Sequence, residues 1–398
     1  MQNWPTKKLG ELLIANDTGI WGNLIHNDEK GILILRSTNF ENDGSLNFRD
    51  IAKRKIPKNK IENLQLQNGD ILLEKSGGGP EQPVGRVSYF VAPDNQIYAF
   101  ANFIQRLRPN QDVINSRFLF HYLFYLYKIG TTLRLQSQTT GIRNLNLNLY
   151  LKIKIPTLSL HIQHQIVEQL DAIRKAQELN DKQIALVEEL LKSILHEEFL
   201  LSSNWRQKRL YEVSKAIITG GTPPTENRSF FEPEVNWATP VDFNESYPWI
   251  NETERKVSDL AIQKNVAPLI PARSLMIVCI GATIGKIALS GKEMSTNQQI
   301  NSVIFNESMV IPEFAYYYFI RNKNLIIRYA KITTLPILNK SLTGKIIIQL
   351  PPLGIQHQIV AKLQAVQDYK KKLLEQKQKL QELFDSCLDK TMKGELVK

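Results

Sequence analysis

The hexapeptide IQHQIV occurs twice, at Ile162–Val167 and at Ile355–Val360, and it belongs to a duplication that spans the chain. A long internal repeat restricts the fold more than any local signal, because whatever one half builds the other half builds as well. Each half opens on a Trp, a basic pair, a Leu and a Glu: WPTKKLGEL from Trp4 and WRQKRLYEV from Trp205. Each continues through an apolar run into glycines and a basic residue, GDILLEKSGGGPEQPVGRVSYF from Gly69 and RSLMIVCIGATIGKIALSG from Arg273. FANFIQRLRP around Asn102 aligns with STNQQINSVIF around Asn297. Each half then closes on a Thr-Thr and Asn-Leu loop, a strand, a Pro and the hexapeptide.

After each hexapeptide the pattern becomes helical. Ile166, Leu170, Ile173, Gln177, Asn180, Ile184, Val187, Leu191 and Ile194 alternate steps of four and three, as do Ile359, Leu363, Val366, Lys370, Leu373, Lys377, Leu380, Phe384 and Cys387. That spacing is a coiled-coil seam. Neither segment holds Pro or an interior Gly before Gly394, so each predicts a rod of about 60 Å at 1.5 Å per residue. A rod with so narrow an apolar stripe must bury it, and the other copy is the obvious partner. The polar seam positions Gln177, Asn180, Lys370 and Lys377 either face solvent where the seam loosens or fix register and orientation.

Short β-rich runs such as GILILRS, GDILLEK, SLMIVCIG and KIIIQLP lie between the rods, with helical stretches in SRFLFHYLFYLY and PEFAYYYFIRNKNLIIRYA. The expected fold is two α/β (α+β) domains joined by two long antiparallel coiled-coil helices, with internal pseudo-two-fold symmetry. The segments run 1–157, 158–201, 202–351 and 352–398.

The length of 398 residues suits two domains, and 42% hydrophobic residues suit compact folding. No apolar run approaches the ~20 residues of a bilayer span, and MQNWPTKKLG lacks a signal-peptide core. A cytoplasmic chain with no membrane partner is the expectation. Cys279 and Cys387 sit in apolar stretches and read as buried small hydrophobes. His164 and His357 have no second His or Cys at ligand spacing, so no metal or cofactor site is expected. The net charge of +11 favours a polyanionic partner, although basic proteins without such partners are common.

Catalytic signatures are weak. GATIGKI from Gly281 resembles a phosphate loop, but it lacks a spacing residue and the Ser or Thr after Lys286. Asp70, Glu74 and Lys75 are the residue types of a metal-dependent nuclease, yet Glu74 and Lys75 are adjacent and would point to opposite strand faces. No nucleophile motif or dinucleotide loop appears. A recognition or scaffolding role fits better. Paired domains on paired rods can read two half-sites of a duplex, with the rods setting the separation. The competing reading is a duplicated protein-interaction scaffold without DNA specificity.

The duplicated layout, the GATIGK and TNQQ phrases, the proline and QHQIV junctions and the closing MKGELVK resemble the specificity subunit of type I restriction and modification systems. The resemblance covers the full length. It implies two target recognition domains and no catalysis by the chain itself. It also implies double-stranded DNA, two modification (adenine methyltransferase) subunits and ATP-dependent restriction subunits as partners. The first domain departs from the pattern, with KSGGGPEQPVGR for IGATIGK and FANFIQR for STNQQIN.

On that reading the DNA-contact candidates of the first domain are Lys75, Ser76, Gly77, Gly78, Arg86, Asn102, Thr140, Arg143 and Asn144. Those of the second are Gly221, Thr222, Thr283, Lys286, Asn297, Gln298, Gln299 and Asn339. Amides can pair with adenine edges, and Arg143 and Arg86 could read guanine or clamp phosphate. Asn and Gln in turns also commonly satisfy backbone instead. Arg106 and Arg108 read as a solvated strand face. The junction residues Gln163, His164, Gln165, Gln356, His357 and Gln358 are candidates for docking the modification subunits, against the alternative of helix-start hydrogen bonding.

Overall fold

The computed structural model describes residues 4–396 apart from 26–30, 80, 140–141, 201, 233, 245–246 and 331–335. The chain divides into two units, Met1–Leu179 with Gln378–Lys398, and Asn180–Lys377.

In the first unit an antiparallel sheet runs in the order Leu13–Thr18, Ile104–Pro109, Ile71–Glu74, Val87–Tyr89. Ile71–Glu74 is buried along its whole length, as an apolar run with a neighbour on each side should be. Alternation divides it: Ile71 and Leu73 pack against the helix Ser116–Lys128, whereas Leu72 packs against a second sheet. That second sheet orders Ala52–Arg54, Ile32–Leu35 and Tyr98–Phe100, with the last two parallel. Asn115 caps the helix by accepting the amides of Arg117 (2.9 Å) and Phe118 (3.0 Å).

The second unit repeats this frame. Its main sheet orders Ser214–Thr219, Ile300–Phe305, Leu275–Val278 and Ile287–Ser290, with Trp249–Ile250 added at the edge. Leu275 and Ile277 face one core, Met276 and Val278 the other. Even the irregularity is shared, since the first strand bulges between Leu13 and Ala15 in one unit and between Ser214 and Ala216 in the other. The helical stretch PEFAYYYFIRNKNLIIRYA forms two helices, Pro312–Arg321 and Lys323–Arg328, broken at Asn322, whose backbone leaves the helical region.

The two seams fold as the helices Leu160–Glu198 and Leu353–Met392. In the first unit, Ile166 and Leu170 share a core with Phe384, Leu388 and Met392. In the second, Leu195 and Phe199 share one with Ile359 and Leu363. The polar seam positions bridge the helices, with Asn180 and Lys370 buried between them and Lys377 still exposed. Asn180 Nδ2 donates to the Leu373 carbonyl (3.0 Å), Gln177 Nε2 to that of Leu380 (3.3 Å), and Lys370 and Lys377 pair with Glu188 (2.8 Å) and Asp181 (2.7 Å). Asn180 and Leu373 lie 193 residues apart, the spacing of the hexapeptides, so at this one point equivalent positions of the two repeats meet. Among the described residues no helix is long and apolar enough to cross a membrane.

Candidate nucleic-acid interface

In the first unit the chain after Ile71–Glu74 forms the strand Ser76–Gly78. It pairs with Ile142–Leu145, which pairs in turn with Gln136–Thr139. This small sheet brings Lys75, Ser76, Gly77 and Gly78 beside Arg143 and Asn144. Ser76 Oγ donates to Asn144 Oδ1 at 2.5 Å. Gly77 takes φ +100°, and a Cβ on Gly78 would come within 2.7 Å of the Val84 amide, so both positions require glycine. The Lys75 amide donates to the Phe103 carbonyl (2.9 Å), which places exposed Asn102 at the same edge. Thr140 lies outside the described residues.

Lys75 reaches neighbours that the sequence reading overlooked. Its Nζ donates to Thr18 Oγ1 (2.6 Å) and Gln105 Oε1 (3.2 Å), Thr18 Oγ1 donates to the same Gln105 oxygen (2.8 Å), and Gln105 Nε2 donates to Asn16 Oδ1 (2.7 Å). Burial holds the Lys75 pKa below the usual lysine value. The second unit keeps one pair of this cluster, with Thr219 Oγ1 donating to Asn301 Oδ1 (2.7 Å) in the same strand register. The signal available was the Thr-Gly dipeptide that ends the first main-sheet strand in each repeat, Thr18-Gly19 and Thr219-Gly220.

In the second unit the turn from Gly281 to Lys286 stands on left-handed glycines at Gly281 (φ +94°) and Gly285 (φ +87°), with the Lys286 amide donating to Thr283 O (3.2 Å). Thr283 is exposed and Lys286 half-buried. The Cys279 amide donates to Gln299 O (2.7 Å) and its carbonyl accepts from the Leu338 amide (2.8 Å). Those two bonds set Gln298, Gln299 and Asn339 beside the turn. Gly221 joins them through its amide, which donates to Thr296 O (2.9 Å); a Cβ there would stand 2.3 Å from Val266 O. Thr222 follows it at the surface.

Several candidates are committed internally. Arg86 is nearly buried and forks onto both Glu74 oxygens (2.8 and 3.0 Å), with further bonds to the carbonyls of Ser37 and Phe40. The strand-to-strand return sets it beside Glu74, so it braces the loop rather than facing DNA. Asn297 is buried, its Oδ1 accepting the Gln299 amide (3.1 Å) and its Nδ2 donating to Gln299 Oε1 (3.1 Å), and it shapes a turn. Asn339 caps the helix Lys340–Lys345 through the Leu342 amide (2.9 Å). Arg106 and Arg108 are not solvated, for they pair with Asp17 and Asp70. The carboxylates of Asp70 and Glu74 are thereby neutralised by arginines, and among the described residues no His, Cys, Asp and Glu group could hold a metal ion.

The hexapeptides divide in the same way at both copies. Gln163 is buried, its Oε1 accepting the Asn115 amide (2.7 Å) while its Nε2 donates to Leu158 O (2.8 Å). Gln356 is buried as well, accepting the Ile311 amide (2.9 Å) and donating to Met309 O and Pro351 O (3.0 Å each). Both glutamines peg the long helix to the start of the unit's own helix, which removes them as docking residues. His164, Gln165, His357 and Gln358 are exposed.

A sequence model of the family described as "Type I restriction modification DNA specificity domain" matches residues 1–189 and 202–383. The specificity subunit of the type I restriction enzyme HindI of Haemophilus influenzae is 33% identical over 100 residues, 25% of this chain and 21% of that relative. The matched stretch thus spans about a fifth of the relative's length. Two solved structures share the fold. One, from work on complex assembly and conformational transition of the type I R-M system, has a TM-score of 0.60 at 19% identity and covers 100% of this chain and 99% of its own. The other, the S subunit of a type I restriction-modification system from M. genitalium, has a TM-score of 0.60 at 14% identity and covers 98% and 96%. With both repeats matched by the family model and both units built on one frame, the chain belongs to the type I restriction modification DNA specificity family.

Proposed function

We propose that the chain is the non-catalytic, DNA-reading subunit of a type I restriction-modification complex and that each unit reads one half-site of a bipartite duplex target. The observation that carries this reading is convergence: residues far apart in sequence, Lys75, Asn102, Arg143 and Asn144 in one unit and Thr283, Lys286, Gln298 and Gln299 in the other, gather at the corresponding edge of each frame. The long helices set the spacing between half-sites. The four exposed junction residues, His164, Gln165, His357 and Gln358, dock two modification subunits, and restriction subunits supply ATP-dependent cleavage. The net charge of +11 supports a polyanionic partner.

The test is to mix the purified chain, alone and with its modification subunit, with duplex DNA at two salt concentrations. DNA binding should weaken steeply with salt, by a logarithmic slope of about 0.9 per phosphate neutralised. Sequence-specific adenine methylation should appear only with the modification subunit added. Methylation by the isolated chain would sink the proposal, as would salt-insensitive binding.

A further inference from the structure

The charges of the first unit are mostly settled within it. Among its described cations that are not exposed, Arg36, Arg86, Arg106, Arg108 and Arg117 each meet a carboxylate. Arg54 and Arg174 lie over aromatic rings, at 4.3 Å from the Trp21 centroid and 4.7 Å from that of Phe384. Lys75 and Arg143 differ. Lys75 meets only the neutral oxygens of Thr18 and Gln105, and Arg143 makes no ion pair among the described residues. A half-buried charge without a counter-charge is costly unless something else supplies acceptors. Both exceptions lie at the edge already described, beside the Ser76–Asn144 pair.

The second unit has different chemistry at the same places. The backbone register fixes the correspondence: Lys75 and Cys279 each donate their amide to the returning strand and accept at their carbonyl from Leu145 and Leu338. Ser76 faces Asn144 across a strand pair, and Ile280 faces Ile337 across the matching bridge. A lysine, a serine and an asparagine are thus replaced by a cysteine and two isoleucines, of which Ile337 is 40% exposed. Gln298 and Gln299 stand next to them.

We propose that the edge of Lys75, Ser76, Arg143 and Asn144 takes the guanine face of a G·C pair in the first half-site. At the matching position the Ile280 and Ile337 edge, with Gln298 and Gln299, takes an A·T pair through its thymine methyl and adenine edge. The proposal rests on the DNA-reading function above. Its chemical basis is the major-groove code: guanine presents two adjacent acceptors, O6 and N7, to cationic donors. An A·T pair presents a methyl group to apolar side chains and an N6/N7 edge to amides.

The experiment uses the full chain with its modification subunit and sequences the methylated DNA. The wild-type target should hold a fixed G·C pair in one half-site, and Lys75→Met should relax that one position by roughly 10- to 100-fold with the other half-site unchanged. Lys75→Arg should retain it, which guards against loss through misfolding. Ile280→Ser combined with Ile337→Asn should relax one A·T position in the opposite half-site only. A Lys75→Met complex that binds all sequences equally more weakly, with its salt slope reduced by about 1, would make Lys75 a phosphate contact and overturn the proposal. An unchanged motif would overturn it too. Absence of any sequence-selective methylation by the wild-type complex would instead overturn the DNA-reading function itself.

Discussion

His121 is fully buried where the helix Ser116–Lys128 meets the long helix, with Nε2 at 3.1 Å from Asp171 Oδ1 and no partner for Nδ1. Burial, helped by Arg174 and Arg117, pushes its pKa down to about 4 from the ordinary 6.5. The folded value lies below the unfolded one, so between these two pH values the unfolded chain binds more protons and acid favours unfolding. Stability of the first unit should therefore be flat above pH 6.5 and decline by about 3 kcal/mol towards pH 4. Asp171, whose pKa is held low chiefly by His121 and Arg117 against the opposing effect of burial, adds its own loss only at lower pH. Urea unfolding at pH 7 and pH 5 checks this, and His121→Gln should flatten the difference. An equal decline in that variant would exclude His121 as the source.

Sequence reading located the loop at the end of the strand better than the bonds made within it. Lys75, Ser76 and Gly77 were legible because an apolar strand running into glycines marks a loop at a sheet end. The role of Arg86 was not, since its partner Glu74 is brought beside it only when the intervening loop closes. Gln163 was legible in principle. It lies three residues before Ile166, on the same helical stripe, and continuing the seam backwards would have placed it inside.

At the scale of elements, the long helices carry a polar layer in an otherwise apolar seam. Asn180 is buried and its Oδ1 has no partner, while Nδ2 bonds a carbonyl already used within its own helix. Such a residue costs stability and in return disfavours shifted registers. Asn180→Leu should raise the melting temperature by a few degrees, on the order of 1 kcal/mol. Disulfide cross-linking between engineered cysteines on the two helices should then report more than one register. A lower melting temperature would show that the amide hydrogen bond outweighs the burial. The seam itself was legible from its four-three spacing. The bridging was not, because a single sequence cannot say which polar seam residues find a partner across the pair.

At the scale of the molecule, two units share one frame down to a bulge, and differ where the frame opens. The clamp is the same in each, with Glu74 N donating to Arg86 O (2.9 Å) and Val278 N to Lys286 O (2.8 Å), next to left-handed Gly85 and Gly285. Between the clamps lie residues 75–85 in one unit and only 279–285 in the other. The frame thus tolerates a change of length as well as of chemistry at this point. Grafting 279–285 in place of 75–85, with Glu74 and Arg86 kept, should leave the melting temperature within a few degrees while altering one half-site. A large fall in melting temperature would show the loop to be part of the core. If the graft holds, the segment behaves as an exchangeable cassette, and new target sequences can be acquired through a few loop residues without re-evolving the domain that carries them.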